Sequence, residues 1–132
     1  MKKTQIKDFF IDYKNALFVD NIADISKYFH LPCLISMPSL PVVAINSEEE
    51  LKQATTSGLR GDYKKEIKNV DLSLIIQSKY DGGNSVANVT FEIFGEENRP
   101  LGMIRWLYHL VQTQNQMKIL TATHINHNSI EY

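Results

Sequence analysis

A single cysteine, Cys33, stands in a chain of 132 residues, so no disulfide can form within it and the fold must be held by burial alone. A lone thiol also fits a reducing cytoplasm. Neither sign of charge dominates: 14 lysines and arginines oppose 15 acidic residues, the net charge is −1, and the two signs are interspersed. With no basic stripe to follow phosphates, no nucleic-acid partner is expected. No apolar run approaches the ~20 residues that cross a bilayer, so no membrane partner is expected. The opening Met1-Lys2-Lys3-Thr4-Gln5 is basic like a secretory leader but lacks the apolar stretch behind it, so a cytoplasmic location is expected. The Asn88-Val89-Thr90 acceptor motif is then a coincidence. Repeats, linkers and low-complexity tracts are missing too. The remaining composition, 43% hydrophobic and 22% charged, is that of one globular domain over 1–132.

Two periods divide the chain. From Thr4 to Asp20 the apolar residues Ile6, Phe9, Phe10, Tyr13, Ala16 and Leu17 recur at intervals of three and four, which predicts an amphipathic helix. Asn21 can cap a shorter helix carrying Ile22, Ile25, Tyr28 and Phe29, which Pro32 should stop near His30. Cys33 to Ile35 reads as a short strand, Pro38 and Pro41 mark a loop, and Val42 to Ile45 is a second apolar run. Ser47-Glu48-Glu49-Glu50 is a capping box for a third helix reaching about Thr56. Leu59 to Asn69 is polar and reads as a surface connection.

Beyond it the period falls to two. Val70, Leu72, Leu74 and Ile76 alternate with polar residues, Ile75 being the exception. Asp81-Gly82-Gly83-Asn84 supplies a hairpin turn, and Ala87, Val89, Phe91 and Ile93 alternate after it. Gly95 to Pro100 is a second turn. Met103 to Val111 is the central strand, and Gln112 to Gln116 leads into a last strand, Met117 to Ile125. Helices first and a meander afterwards predict an α+β fold, with three N-terminal helices packed on the concave face of a curved, cone-shaped antiparallel sheet.

On these features the chain resembles the nuclear transport factor 2-like superfamily, which includes ketosteroid isomerases and polyketide-cyclase-like proteins. The resemblance rests on the helix pair ending Tyr28-Phe29-His30-Leu31-Pro32-Cys33, the capped helix at Ser47 and the strand ending Met117-Lys118-Ile119-Leu120. It implies the cone-shaped domain, not one activity. In the isomerase branch, the resemblance puts Tyr13 at the tyrosine that donates to a developing enolate oxygen. It puts Met37 at the carboxylate that shuttles the proton, and a second donor near Tyr108. Methionine abstracts no proton, so no steroid isomerisation is expected.

The candidate ligand pocket is therefore Tyr13, Met37, Trp106 and Tyr108, a mainly apolar cavity between helix 1, the Cys33–Met37 strand and the central strand. Plain core packing of Tyr13 and Trp106 is the simpler alternative. No cofactor or metal is expected: His124 and His127 lie three apart, but one ends a strand and the other sits in a tail. His30 is explained by a helix C-terminus, and Cys33 by burial as a structural thiol.

The central strand adds a partner. Ile104, Trp106, Tyr108 and Leu110 face one way, while Met103, Leu107 and Val111 face the other, interrupted by Arg105 and His109. Helices can cover only one of these faces. A homodimer packed sheet to sheet, with Leu107 near the two-fold axis, covers the second. The expected function is a non-catalytic small-molecule-binding or assembly domain for a small apolar ligand. The alternatives are a cyclase, dehydratase or isomerase using Tyr13 and Tyr108, and a protein-interaction module.

Overall fold

The computed structural model describes residues 2–18, 22–37, 41–54, 67–114 and 116–125. The long helix forms as its spacing requires. α1 runs Lys2–Phe18 and buries Ile6, Phe10, Tyr13, Ala16 and Leu17, with Phe9 packed partly against them. The second helix is shorter than expected. α2 spans only Ile22–Ile25, passes into a single 3₁₀ turn over Ser26–Tyr28, and gives way to β1, Phe29–Ser36. Pro32 disfavours helical geometry in Leu31 before it, and the extended chain here starts two residues earlier still, at Phe29. His30 is therefore a strand residue and not a helix terminus. Its Nδ1 lies 3.2 Å from the Pro32 carbonyl oxygen.

β2 is Val43–Ile45, and α3, Glu48–Ala54, packs against it at the margin of the sheet and not over the concave centre. The Ser47 hydroxyl accepts from the Glu50 N–H at 3.2 Å. The Glu50 carboxylate accepts from the Asn46 N–H at 2.7 Å, one residue further back than the standard box. The expected continuation of α3, most of the polar connection up to β3, the Asn21 cap and His127 lie outside the described residues.

Four long strands complete the sheet: β3 (Asn69–Lys79), β4 (Asn84–Phe94), β5 (Pro100–Thr113) and β6 (Gln116–Ile125). The order is β2-β1-β6-β5-β4-β3. The sheet is mixed and not wholly antiparallel, because β1 runs parallel to β6 while every other pair is antiparallel. The β1–β6 ladder is irregular between Phe29 and Leu34, a stretch containing Pro32, which has no N–H to give.

β3 departs most from its reading. Leu72 pairs with Phe91 but Leu74 pairs with Thr90, so Ser73 is an extra residue, a bulge. A strand has a side-chain period of two, so one inserted residue reverses every face beyond it. Val70 and Leu72 face the core before the bulge. After it Ile75 turns inward, while Leu74 and Ile76 turn out. The three consecutive apolar residues Leu74-Ile75-Ile76 are the sequence mark of that change of phase.

β4 and β5 keep their alternation. Ala87, Val89, Phe91, Ile93, Ile104, Trp106, Tyr108 and Leu110 are all buried on the inner face, beneath α1. The outer face bears no helix among the described residues.

A candidate ligand site on the inner sheet face

Three of the four pocket candidates are involved in the same packing. Phe10 on α1 sits 5.0 Å from the Tyr108 ring, and Tyr13 packs edge-on to Tyr108 at 5.7 Å and to Phe29 at 5.9 Å. Trp106 stacks on Tyr108 at 6.1 Å. The fourth, Met37, follows β1 and packs half-buried at the margin of the core. The rings press against one another where the sequence suggested open space.

This cluster carries an anomaly. The Tyr13 hydroxyl, the Tyr108 hydroxyl and the Trp106 Nε1 are buried, and none has a hydrogen-bond partner among the described residues. An orphaned buried donor costs about 1–3 kcal/mol. Burying each ring contributes about as much, and edge contacts between rings add about 0.5–1.5 kcal/mol. The rings therefore stay in, with their polar tips unmet.

Burial raises the Tyr13 hydroxyl far above its ordinary pKa, an effect the nearby Tyr108 hydroxyl partly offsets. Burial, then the neighbouring Tyr13, does the same to Tyr108. The two hydroxyls are near enough to perturb each other without reaching good hydrogen-bonding geometry. Both remain protonated donors at any physiological pH. Burial also pushes the Cys33 thiol up to about 11, which removes it as a nucleophile. Asp12 acts on a different tyrosine: Tyr28 is raised by burial first and by the Asp12 carboxylate second.

Open space begins one cross-strand row further along. Gln77, Ala87, Tyr108 and Ala122 form one inner row, and Lys79, Ser85 and Leu110 form the next. At that second row, towards the tips of the β3–β4 and β5–β6 hairpins, lies a cavity of about 300 Å³. Four strands wall it: Gln77 and Lys79 from β3, Ser85 from β4, Leu110 and Gln112 from β5, and Met117 from β6. Its floor is apolar, and neither a carboxylate nor a histidine is among the described residues lining it. A second space of about 480 Å³ is a groove between the first turns of α1 and the edge strand β3, where Ile6 and Lys7 meet Leu72 to Ile75. Only one strand walls that groove, so it lacks the enclosure of the first.

The first cavity was missed from sequence for a definite reason. Its residues come from four strands, and their convergence depends on register past the Ser73 bulge and a second irregularity in β6 opposite His109 and Leu110. The turn Asp81 to Asn84 was the available signal, since it places Lys79 and Ser85 opposite one another.

Among the described residues, no group of three or more histidine, cysteine, aspartate or glutamate side chains could hold a metal ion. No described helix is long and apolar enough to cross a membrane.

An α1 helix laid across a curved sheet of this strand order is the nuclear transport factor 2-like fold, also called cystatin-like, and this chain has it. Among solved structures, an NTF2-like protein from Cytophaga hutchinsonii superposes with a TM-score of 0.70 at 20% identity, covering 94% of this chain and 97% of that one. A Nostoc punctiforme protein of unknown function with a cystatin-like fold gives 0.72 at 12% identity, covering 92% and 88%. A candidate β subunit of an aromatic-ring-hydroxylating dioxygenase from Novosphingobium aromaticivorans gives 0.67 at 14% identity, covering 91% and 85%. No family model and no curated protein matches the sequence. At these identities the likeness is one of fold.

Proposed function

We propose that the chain is a non-catalytic small-molecule-binding domain, taking a small, largely apolar ligand in the hairpin-end cavity of the inner sheet face. One observation carries the reading. The cavity has an apolar floor at Leu110 and Met117, polar donors at its rim, and no acid–base pair among its described lining residues. General acid–base chemistry needs a positioned group that changes protonation near the working pH. Tyr13 and Tyr108 are held protonated and are not among the residues lining this cavity, so they supply no base to it. This favours binding over the cyclase, dehydratase or isomerase alternative. The isomerase expectation stays negative because Met37 offers no base. A single buried thiol fits the reducing cytoplasm in which we place the protein.

The same reading includes a second copy of the chain on the outer face. Leu34, Leu74, Ile76 and Met103 are 45%, 50%, 57% and 43% exposed, and all four lie on that face. Leu107 is flanked by Asn88 and Thr123, so the patch mixes aliphatics with short polar residues, as subunit interfaces do. His109 already bonds Asn84 within the chain at 2.9 Å, which leaves Arg105 as the residue to pair across the interface. An isologous contact brings each aliphatic row against its own copy.

The ligand reading is tested by a fragment screen of small aromatic and aliphatic compounds, observed by NMR on the isotope-labelled protein. Binders should shift the amides of Ser85, Leu110 and Met117. Met117→Trp, which fills the cavity from a half-buried position, should abolish those shifts while the protein still melts cooperatively. Shifts that map consistently elsewhere would overturn the assignment.

A further inference from the structure

We propose that the cavity's ligand is a small monocarboxylate, with its apolar body over Leu110 and Met117 and its carboxylate at Lys79. This rests on the binding reading above and adds the chemical class.

The starting point is a lysine in an unusual place. Lys79 ends β3 on the inward-facing side of the strand, paired with Ser85, which in turn pairs with Leu110. Rows nearer the centre of β3 and β4 carry Ile75 with Val89 and Leu72 with Phe91 at the equivalent positions. Here the row carries an ammonium and a hydroxyl instead. Among the described lining residues Lys79 alone is charged, and no ion pair engages it among the described residues. Lys79 itself is exposed. A lysine in such a position lays its aliphatic stem along an apolar wall and keeps its ammonium in water. An anion meeting it at the mouth keeps much of its hydration, so the pair avoids the desolvation that makes buried ion pairs unprofitable.

The rest of the rim supports the same sign. The Gln77 and Gln112 amides and the Tyr80 and Ser85 hydroxyls can all donate to a carboxylate, and no carboxylate is among the described residues lining the cavity. One cation suits one negative charge; a phosphate dianion would want more. The volume, about 300 Å³, lies at the small end of the ~300–1,000 Å³ range of ligand pockets. A compact acid fits this space better than a steroid-sized molecule.

The rim is also fixed in place. Gly83 adopts a φ of +77°, and a Cβ there would lie 3.3 Å from both the Cβ and the carbonyl oxygen of Gln112. Glycine lets the β3–β4 tip close onto β5, which holds Lys79 and Gln112 at opposite sides of one mouth.

The test uses 3-phenylpropanoate and its uncharged isostere 3-phenylpropanamide, titrated into the full chain by calorimetry and mapped by NMR. The acid should bind about fivefold more tightly than the amide, the scale of a solvent-exposed ion pair. Raising the salt to 0.5 M should erase that difference. Lys79→Gln should bring the two affinities together. An amide that binds as tightly as the acid, or an acid indifferent to Lys79→Gln, overturns the carboxylate assignment and leaves the binding reading standing. If neither compound shifts Ser85, Leu110 or Met117, the binding reading itself is overturned along with the assignment.

Discussion

The two faces of one sheet differ here more than any two elements do. On the inner face of β4 and β5 the side chains from Ala87 to Ile93 and from Ile104 to Leu110 are buried under α1. On the outer face, Met103 of β5, Leu34 of β1 and Leu74 and Ile76 of β3 stand about half exposed. The inner face meets its packing needs within the chain and is left with unmet donors. The outer face has no helix over it among the described residues and shows exposed apolar surface. In the reading proposed here, the cavity beyond the packed rings suits a small molecule and the exposed outer face suits another protein surface.

The largest expected effect comes from breaking the inner face. Trp106→Ala should destabilise the protein by about 3–5 kcal/mol, the scale for emptying a buried aromatic site. Ile76→Ala, on the outer face of β3, should change stability by no more than about 0.5 kcal/mol in the isolated chain. Urea denaturation of both variants checks the pair, and equal losses would erase the distinction between the faces.

Alkali should sharpen the same contrast. The folded protein keeps the Cys33 proton up to about pH 11, while the unfolded chain releases it near the ordinary value of 9. Raising the pH through that interval therefore draws the equilibrium towards the unfolded chain. Tyr13 and Tyr108, also raised, extend the loss above pH 10. Stability followed by denaturant titration should be flat with respect to these groups below pH 9 and fall steadily above it. Cys33→Ala should move the onset upward.

A smaller effect isolates the orphaned donors. Tyr108→Phe removes a buried hydroxyl that has no hydrogen-bond partner among the described residues, so stability should hold or rise by up to about 1 kcal/mol. A loss of 2 kcal/mol or more, measured by thermal or chemical melting, would show that the hydroxyl is satisfied in solution.

Much of this contrast was legible in the sequence. The 3.6-residue spacing of α1 and the strict alternation of β4 and β5 gave the inner face, but the pocket expected at Tyr13, Trp106 and Tyr108 is occupied by their own rings. The fold resemblance rested on the helix pair ending at Cys33, the capped helix at Ser47 and the last strand. What escaped was everything decided by register. The Ser73 bulge sends Leu74 and Ile76 outward against the simple alternation, and it brings Ile75 in. The cavity escaped for the same reason, since Lys79, Ser85, Gln112 and Met117 are distant in sequence and meet only through ladder pairing. The second helix was overestimated because Tyr28 and Phe29 continue an apolar spacing that a strand can use equally well. The parallel β1–β6 pairing escaped too, because strand direction within a sheet leaves no mark in a short apolar run such as Cys33 to Ile35.

The claim that the outer face is completed by a second copy is tested most directly by light scattering on a sizing column at micromolar concentration. The wild-type protein should elute at twice the 15.2 kDa chain mass. Leu107→Glu, and independently Ile76→Lys at a more exposed position, should each elute at the mass of one chain while melting cooperatively. A wild-type protein that runs as a single chain would contradict the account and leave the aliphatic outer face without a second copy to cover it.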